Sequence, residues 1–144
     1  MIRPLAFLTV AALAAVCLIP VLAPGQSKDP AGKDRVFELR TYDTLPGRLD
    51  ALNKRFRDHT CGLFKKHGME LVGFWTPADE KDGKSNKLVY LLAYPSREAA
   101  AASWKGFRDD PEWAKARDAS EADGKIVEKV DSVYLDPTDY SQIK

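Results

Sequence analysis

Glu38 and Arg40 stand two residues apart in the run Val36-Phe37-Glu38-Leu39-Arg40-Thr41-Tyr42. On an extended chain that spacing puts a carboxylate and a guanidinium on one face. Arg40 could hold an anionic oxygen through its planar fork of donors, with Glu38 orienting it. The same two residues could instead form a plain structural ion pair. Tyr42, Phe74, Trp75, Tyr90 and Tyr94 add a second feature. They could line an apolar pocket with polar tips, suited to a flat aromatic or lipid-like ligand, or they could be ordinary sheet core and subunit packing.

Other chemistry finds less support. His59 and His67 lie eight residues apart on one helical stretch, whereas a helical zinc pair wants a spacing of about four and further ligands nearby. No metal site is expected, and no motif supports either histidine as a general base. Asp79, Glu80 and Asp82 lack the alternating acids, glycine and distal glutamate of a calcium loop. Asp109, Asp110 and Glu112 read as helix capping. Trp104 and Trp113 read as core. There is no phosphate-cradling glycine loop and no serine nucleophile elbow. With no complete catalytic motif, the chain is read as a binding domain with no cofactor rather than as an enzyme.

The elements that must position these residues follow from periodicity. Val36 to Tyr42 alternates as a strand, with Phe37, Leu39 and Thr41 on one side and Glu38, Arg40 and Tyr42 on the other. The first set is expected to face the helices and the second the open side of the sheet. Leu49, Leu52, Phe56, Leu63 and Phe64 recur at helical spacing, with His59 or Thr60 bridging the gap. The helix is predicted from Pro46, a residue suited to a first turn, to about His67, with Gly68 as a left-handed cap. Met69 to Thr76 and Lys87 to Tyr94 are strands joined by a polar loop, an antiparallel hairpin in which the more apolar Lys87–Tyr94 run is central. Ser96 caps a second helix with Ala100, Trp104 and Phe107 inward, and Asp110-Pro111-Glu112 opens a third. Val127 to Leu135 is a last strand. The order β-α-β-β-α-β predicts an α+β, ferredoxin-like fold with a four-stranded antiparallel sheet and helices on one face. Apolar residues on both faces of the middle strands imply that the open face is covered, which a second copy would do by a twofold contact.

The bulk properties agree with one domain. The chain has 144 residues, 44% hydrophobic and 30% charged, with 22 basic side chains against 21 acidic. That balance supplies no field for nucleic acid. The N-terminus carries Arg3, an apolar run from Leu5 to Leu22 broken only by Thr9, and the small-residue exit Val21-Leu22-Ala23. Residues 1–23 therefore read as a secretory signal, with the cut displaced to Gly25 if Pro24 obstructs it. Residues 24–35 form a linker and residues 36–144 the domain. A secreted or periplasmic location follows, with membrane attachment only if the leader stays uncleaved. Cys17 lies in the leader, so Cys61 is left unpaired and is read as a small buried hydrophobe.

The segments Glu38-Leu39-Arg40-Thr41-Tyr42, Pro46-Gly47, Gly73-Phe74-Trp75-Thr76, Leu92-Ala93-Tyr94, Asp110-Pro111-Glu112-Trp113 and Pro137-Thr138-Asp139-Tyr140-Ser141 resemble, in that order, the NIPSNAP domain. The resemblance spans Val36 to Ser141. It implies the dimeric α/β-barrel group, in which ferredoxin-like halves pair into a barrel with a cleft. It also implies a homodimer whose cleft takes a small apolar or aromatic ligand or a protein partner. The alternative it offers is a cofactor-independent monooxygenase-like or isomerase-like enzyme. Organellar roles of eukaryotic members fit poorly with a secretory leader.

Overall fold

Residues 35–144 are described by a computed structural model; the predicted leader and most of the linker lie outside them. Strand β1 (Val36–Thr44) is flanked by β3 (Lys87–Tyr94) and β4 (Val127–Leu135), and β2 (Glu70–Trp75) pairs with β3. The order is β2-β3-β1-β4, and every neighbouring pair is antiparallel. The inner place of β3 explains its apolar run: Leu88, Tyr90, Leu92 and Tyr94 are all buried under the helices.

The predicted long helix forms in three pieces, α1 (Leu49–Arg55), a π-helical turn at Phe56–Thr60 and α2 (Cys61–Lys66). The wide turn reconciles the apolar positions on either side of the gap. Thr60 is buried and donates its hydroxyl to the Arg55 carbonyl five residues back, while His59 points to solvent. Gly68, at φ +78°, then reverses the chain into β2, a conformation that a side chain would strain. Ser96 accepts a hydrogen bond from the Ala99 N–H to start α3 (Arg97–Asp109). Asp110 accepts one from Glu112 N–H to start α4 (Pro111–Ser120), with Pro111 in its first turn.

Between helices and sheet lies an aromatic cluster. Phe56 and Phe64 meet Tyr90 with ring centroids 5.3 and 6.0 Å apart, Phe74 stacks on Tyr90 at 5.2 Å, and Phe64 packs on Trp104 and Phe107 at 5.4 and 4.9 Å. Burying each such side chain contributes about 1.5–3 kcal/mol, which makes this cluster the main source of helix docking.

The face assignment on β1 is reversed from the expectation. Glu38, Arg40 and Tyr42 point toward the helices: Glu38 bonds Trp104 of α3 and Tyr42 packs on Phe56. Phe37 and Leu39 lie on the opposite side. Alternation established that the two sets are separated but not which one the helices cover. Phe37 is nonetheless buried, because the C-terminal tail folds under the sheet beside it. A cavity of about 470 Å³ there is lined by Phe37, Leu91, Leu135, Pro137 and Ile143. Elsewhere the open face is bare: Trp75 and Val133 are each 54% exposed.

Candidate functional site

The helix-side face of β1 carries the site. Glu38 is 1% exposed, an arrangement that only paired donors make tolerable for a carboxylate. Four supply the pairing. Its Oε1 accepts from Arg40 Nη1 at 2.7 Å and Ser132 Oγ at 2.6 Å; its Oε2 accepts from the Tyr94 hydroxyl at 2.7 Å and Trp104 Nε1 at 2.6 Å. They come from β1, β3, β4 and α3, so one carboxylate ties three strands to a helix. Burial pushes the Glu38 carboxyl up, but hydrogen bonds from Ser132, Trp104, Tyr94 and Arg40 outweigh it and hold the group below its usual value. A carboxylate has about four acceptor positions, and all are taken. Glu38 is thus an ionised anchor with no lone pair left for a proton or a metal.

What it anchors is Arg40. The guanidinium carbon lies 4.3 Å from the Trp104 ring centroid and 5.7 Å from that of Tyr42. Burial opposes its charge; the Tyr90 and Tyr42 hydroxyls and the Glu38 carboxylate more than compensate, and Arg40 stays protonated. Its side chain remains 16% exposed, beside the β4 edge where Val130 and Ser132 reach solvent. Its Nε is buried and has no partner among the described residues. Tyr90 sits directly across the β1–β3 ladder from Arg40 and is wholly buried; its hydroxyl lies near the Tyr42 hydroxyl and the Arg40 guanidinium but makes no hydrogen bond of ordinary length among the described residues. Burial pushes the Tyr90 and Tyr94 hydroxyls up, so both remain neutral donors.

Of the residues singled out from the sequence, Glu38, Arg40, Tyr42, Tyr90 and Tyr94 gather here. Phe74 joins through its stack on Tyr90. Trp75 does not: it lies on the open face, its ring across Gly73, where an added Cβ would stand 2.4 Å from the ring. Both faces of β2 are apolar, so the sequence could not separate Phe74 from Trp75.

A model of the NIPSNAP family matches residues 37–142. The chain belongs to the NIPSNAP family. Solved NIPSNAP structures share the fold. A NIPSNAP domain protein from Burkholderia xenovorans is 25% identical, with a TM-score of 0.62 over 74% of this chain and 97% of its own. A NIPSNAP family protein of unknown function from Agrobacterium tumefaciens is 24% identical, with a TM-score of 0.66 over 77% of this chain and 95% of its own. A provisionally named antibiotic biosynthesis monooxygenase from Nitrosomonas europaea is more distant: 17% identical, TM-score 0.53, over 74% of this chain and 93% of its own. No curated protein matches the chain.

In this NIPSNAP domain two site residues escaped the sequence reading. Trp104 looked like core, and its indole N–H gave no sign of a carboxylate partner. Ser132 sits in an exposed, polar edge strand. Its register opposite Arg40, two residues from Glu38, is a property of the sheet alone. The histidines lie elsewhere. His59 is exposed on the π-helical turn, and His67 Nε2 pairs with Asp110 Oδ2 at 2.7 Å. Lys66, His67 and the Glu112 N–H hold the Asp110 carboxyl down at about 2; Asp110 caps α4 as read from the sequence, and the cluster is ion-paired as well, which the sequence reading did not include. Burial pushes the Cys61 thiol up against the pull of Lys65, which suits an inert side chain better than a nucleophile.

Proposed function

We propose that this NIPSNAP domain is exported and works as a homodimer that holds a small, flat, largely apolar ligand between its sheet and α3, anchored at Arg40. The observation that carries the reading is the Glu38 cluster. A buried ion pair adds little stability over apolar packing, so a carboxylate that draws four donors to fix one arginine supports a use for that arginine. Aromatic rings of Tyr42, Trp104 and Tyr90 surround that arginine and suit a planar body. Exposed Trp75 on β2 and Val133 on β4, both on the open face, support a second copy packed there.

The enzymatic alternative, a cofactor-independent monooxygenase-like or isomerase-like activity, is the weaker reading. It asks for a base at the ligand. Glu38 has no lone pair to offer, and neither histidine is among the groups that reach Glu38 or Arg40.

Native mass spectrometry of the protein from its own compartment tests the proposal. A dimer carrying an additional mass is expected. A monomer overturns the dimer, and a dimer with no additional mass turns the reading toward assembly alone. N-terminal sequencing of the same sample is expected to begin at Pro24 or Gln26; recovery of the intact leader overturns export by cleavage.

A further inference from the structure

We infer that β4 is a second self-association surface: the free edges of two copies pair antiparallel about a twofold centred on Val130 and continue the sheet from one copy into the other.

β4 is an outer strand of the sheet and nine residues long. Among the described residues its backbone from Glu128 to Leu135 pairs with nothing but β1. Glu128 to Val133 are all exposed, and Val130, Val133 and Leu135 leave 40%, 54% and 41% of their surface to solvent. A long, partly apolar edge is a template for another strand unless its charges repel one. Here that decision rests with Glu128, Lys129 and Asp131.

Those charges select both the partner and the register. Residues opposite each other in an antiparallel pair share a face, so a twofold through the sheet must centre on one residue of the strand. Centred on Glu128, Lys129 or Asp131, it sets like charges against each other. Centred on Ser132, it sets Lys129 against Leu135 and Asp131 against Val133. Centred on Val130, it sets Lys129 of each copy against Asp131 of the other, and Val127 against Val133. Lys129 and Asp131 already pair at 2.7 Å within the chain, so the contact joins them into a square of four charges of alternating sign. On the other face Glu128 comes opposite Ser132, beside Tyr134. The Arg97 guanidinium lies 3.3 Å from the centroid of that tyrosine ring, so a carboxylate of one copy approaches an arginine of the other. The strand is its own complement, and the occupant of its edge is a second copy of this chain.

The contact goes beyond the face-to-face dimer above. Val130 stands opposite Tyr42, on the helix side, and edge pairing leaves the open face free. A chain using both contacts would assemble as a tetramer with perpendicular twofolds. Edge pairing also reaches the Arg40 site. Tyr90, Arg40 and Ser132 lie in one row across the sheet, and Glu128 of the second copy becomes the next residue in that row.

The test is disulfide trapping in the full chain, in a Cys61→Ser background with that parent as control. Val130→Cys puts a thiol on the twofold, where facing Cα atoms stand about 4.5–5.5 Å apart, within disulfide reach. Glu128→Cys, two residues away on the same face, leaves its two thiols roughly 13 Å out of register. Under mild oxidation Val130→Cys is expected to cross-link on the order of tenfold faster than Glu128→Cys. Val130→Cys chains that also carry Lys129→Glu, or Asp131→Lys, are each expected to lose the cross-link, and an equimolar mixture of the two to regain it as a heterodimer. Equal rates for Val130→Cys and Glu128→Cys, no cross-link at either position, or a mixture no better than its components overturns the edge contact. The face-to-face reading survives each of these results, because Val130 lies on the side of the sheet away from that contact.

Discussion

Replacing Glu38 by glutamine gives the sharpest test of how the site is built. The change keeps the shape and substitutes one oxygen by an NH₂. With the nitrogen in place of Oε2 it confronts Trp104 Nε1, a pure donor; in place of Oε1 it confronts Arg40 Nη1, also a pure donor. Tyr94 and Ser132 can rotate their hydroxyls to accept, but the indole and the guanidinium cannot. Either orientation therefore leaves a donor facing a donor and a buried guanidinium without its counterion. Breaking a buried pair in this way costs about 3–5 kcal/mol, and the retained geometry puts the expected loss at the lower end, about 3 kcal/mol. For a domain of this size that is a drop of about 12 °C in thermal midpoint. The assay is thermal unfolding followed by near-ultraviolet circular dichroism, at one fixed protein concentration. Acid supplies the second arm. The folded-state Glu38 carboxyl is held below the ordinary 4.5 by Ser132, Trp104, Tyr94 and Arg40 against burial. Its contribution is complete above that value and is lost as pH falls through the folded-state value. The gap between wild type and Glu38→Gln should thus be widest near neutrality and narrow below pH 4.5. A loss of less than about 1 kcal/mol at neutral pH, or a gap that does not change in acid, refutes the saturated-anchor reasoning.

The other predictions are simpler. Tyr90→Phe deletes a buried hydroxyl that makes no hydrogen bond of ordinary length among the described residues and should raise stability by about 1 kcal/mol in urea titration, provided no ligand is bound. Ser96→Ala removes the side-chain acceptor for Ala99 N–H and should cost about 1 kcal/mol without altering the folded spectrum. Val133→Arg places a charge on the bare side of β4 and should convert the proposed dimer to monomer in analytical ultracentrifugation, with the monomer's fold retained. Asp110→Asn removes the partner of Lys66 and His67 and should abolish the part of the acid sensitivity that lies between pH 3.8 and about 2, where that carboxyl now titrates.

Element order and type were legible along the chain because each depends on local spacing. A period-two run marked β1, apolar runs joined by a polar loop marked β2 and β3, helical spacing marked α3, and Ser96, Asp110-Pro111 and Gly68 marked helix ends where the structure has them. The ordered motifs beginning at Glu38-Leu39-Arg40 pointed to the NIPSNAP family, which the match over residues 37–142 bears out. That Glu38 and Arg40 share a face with Tyr42 was equally local, since alternation requires it. What alternation cannot supply is direction. Which side of β1 the helices cover depends on how Trp104, Phe56 and the C-terminal tail pack, contacts between residues 14 to 106 positions apart in the chain. The same holds for the π-helical turn, where the demand that Phe56, Thr60 and Phe64 all turn inward overrides the regular helical repeat. The pairing of Ser132 with Glu38 is a matter of sheet register. The sequence by itself determined the elements, the family and the charged pair. Tertiary structure alone decided that the pair is buried beneath α3 and saturated, because burial and hydrogen-bond partnership arise only when distant segments meet.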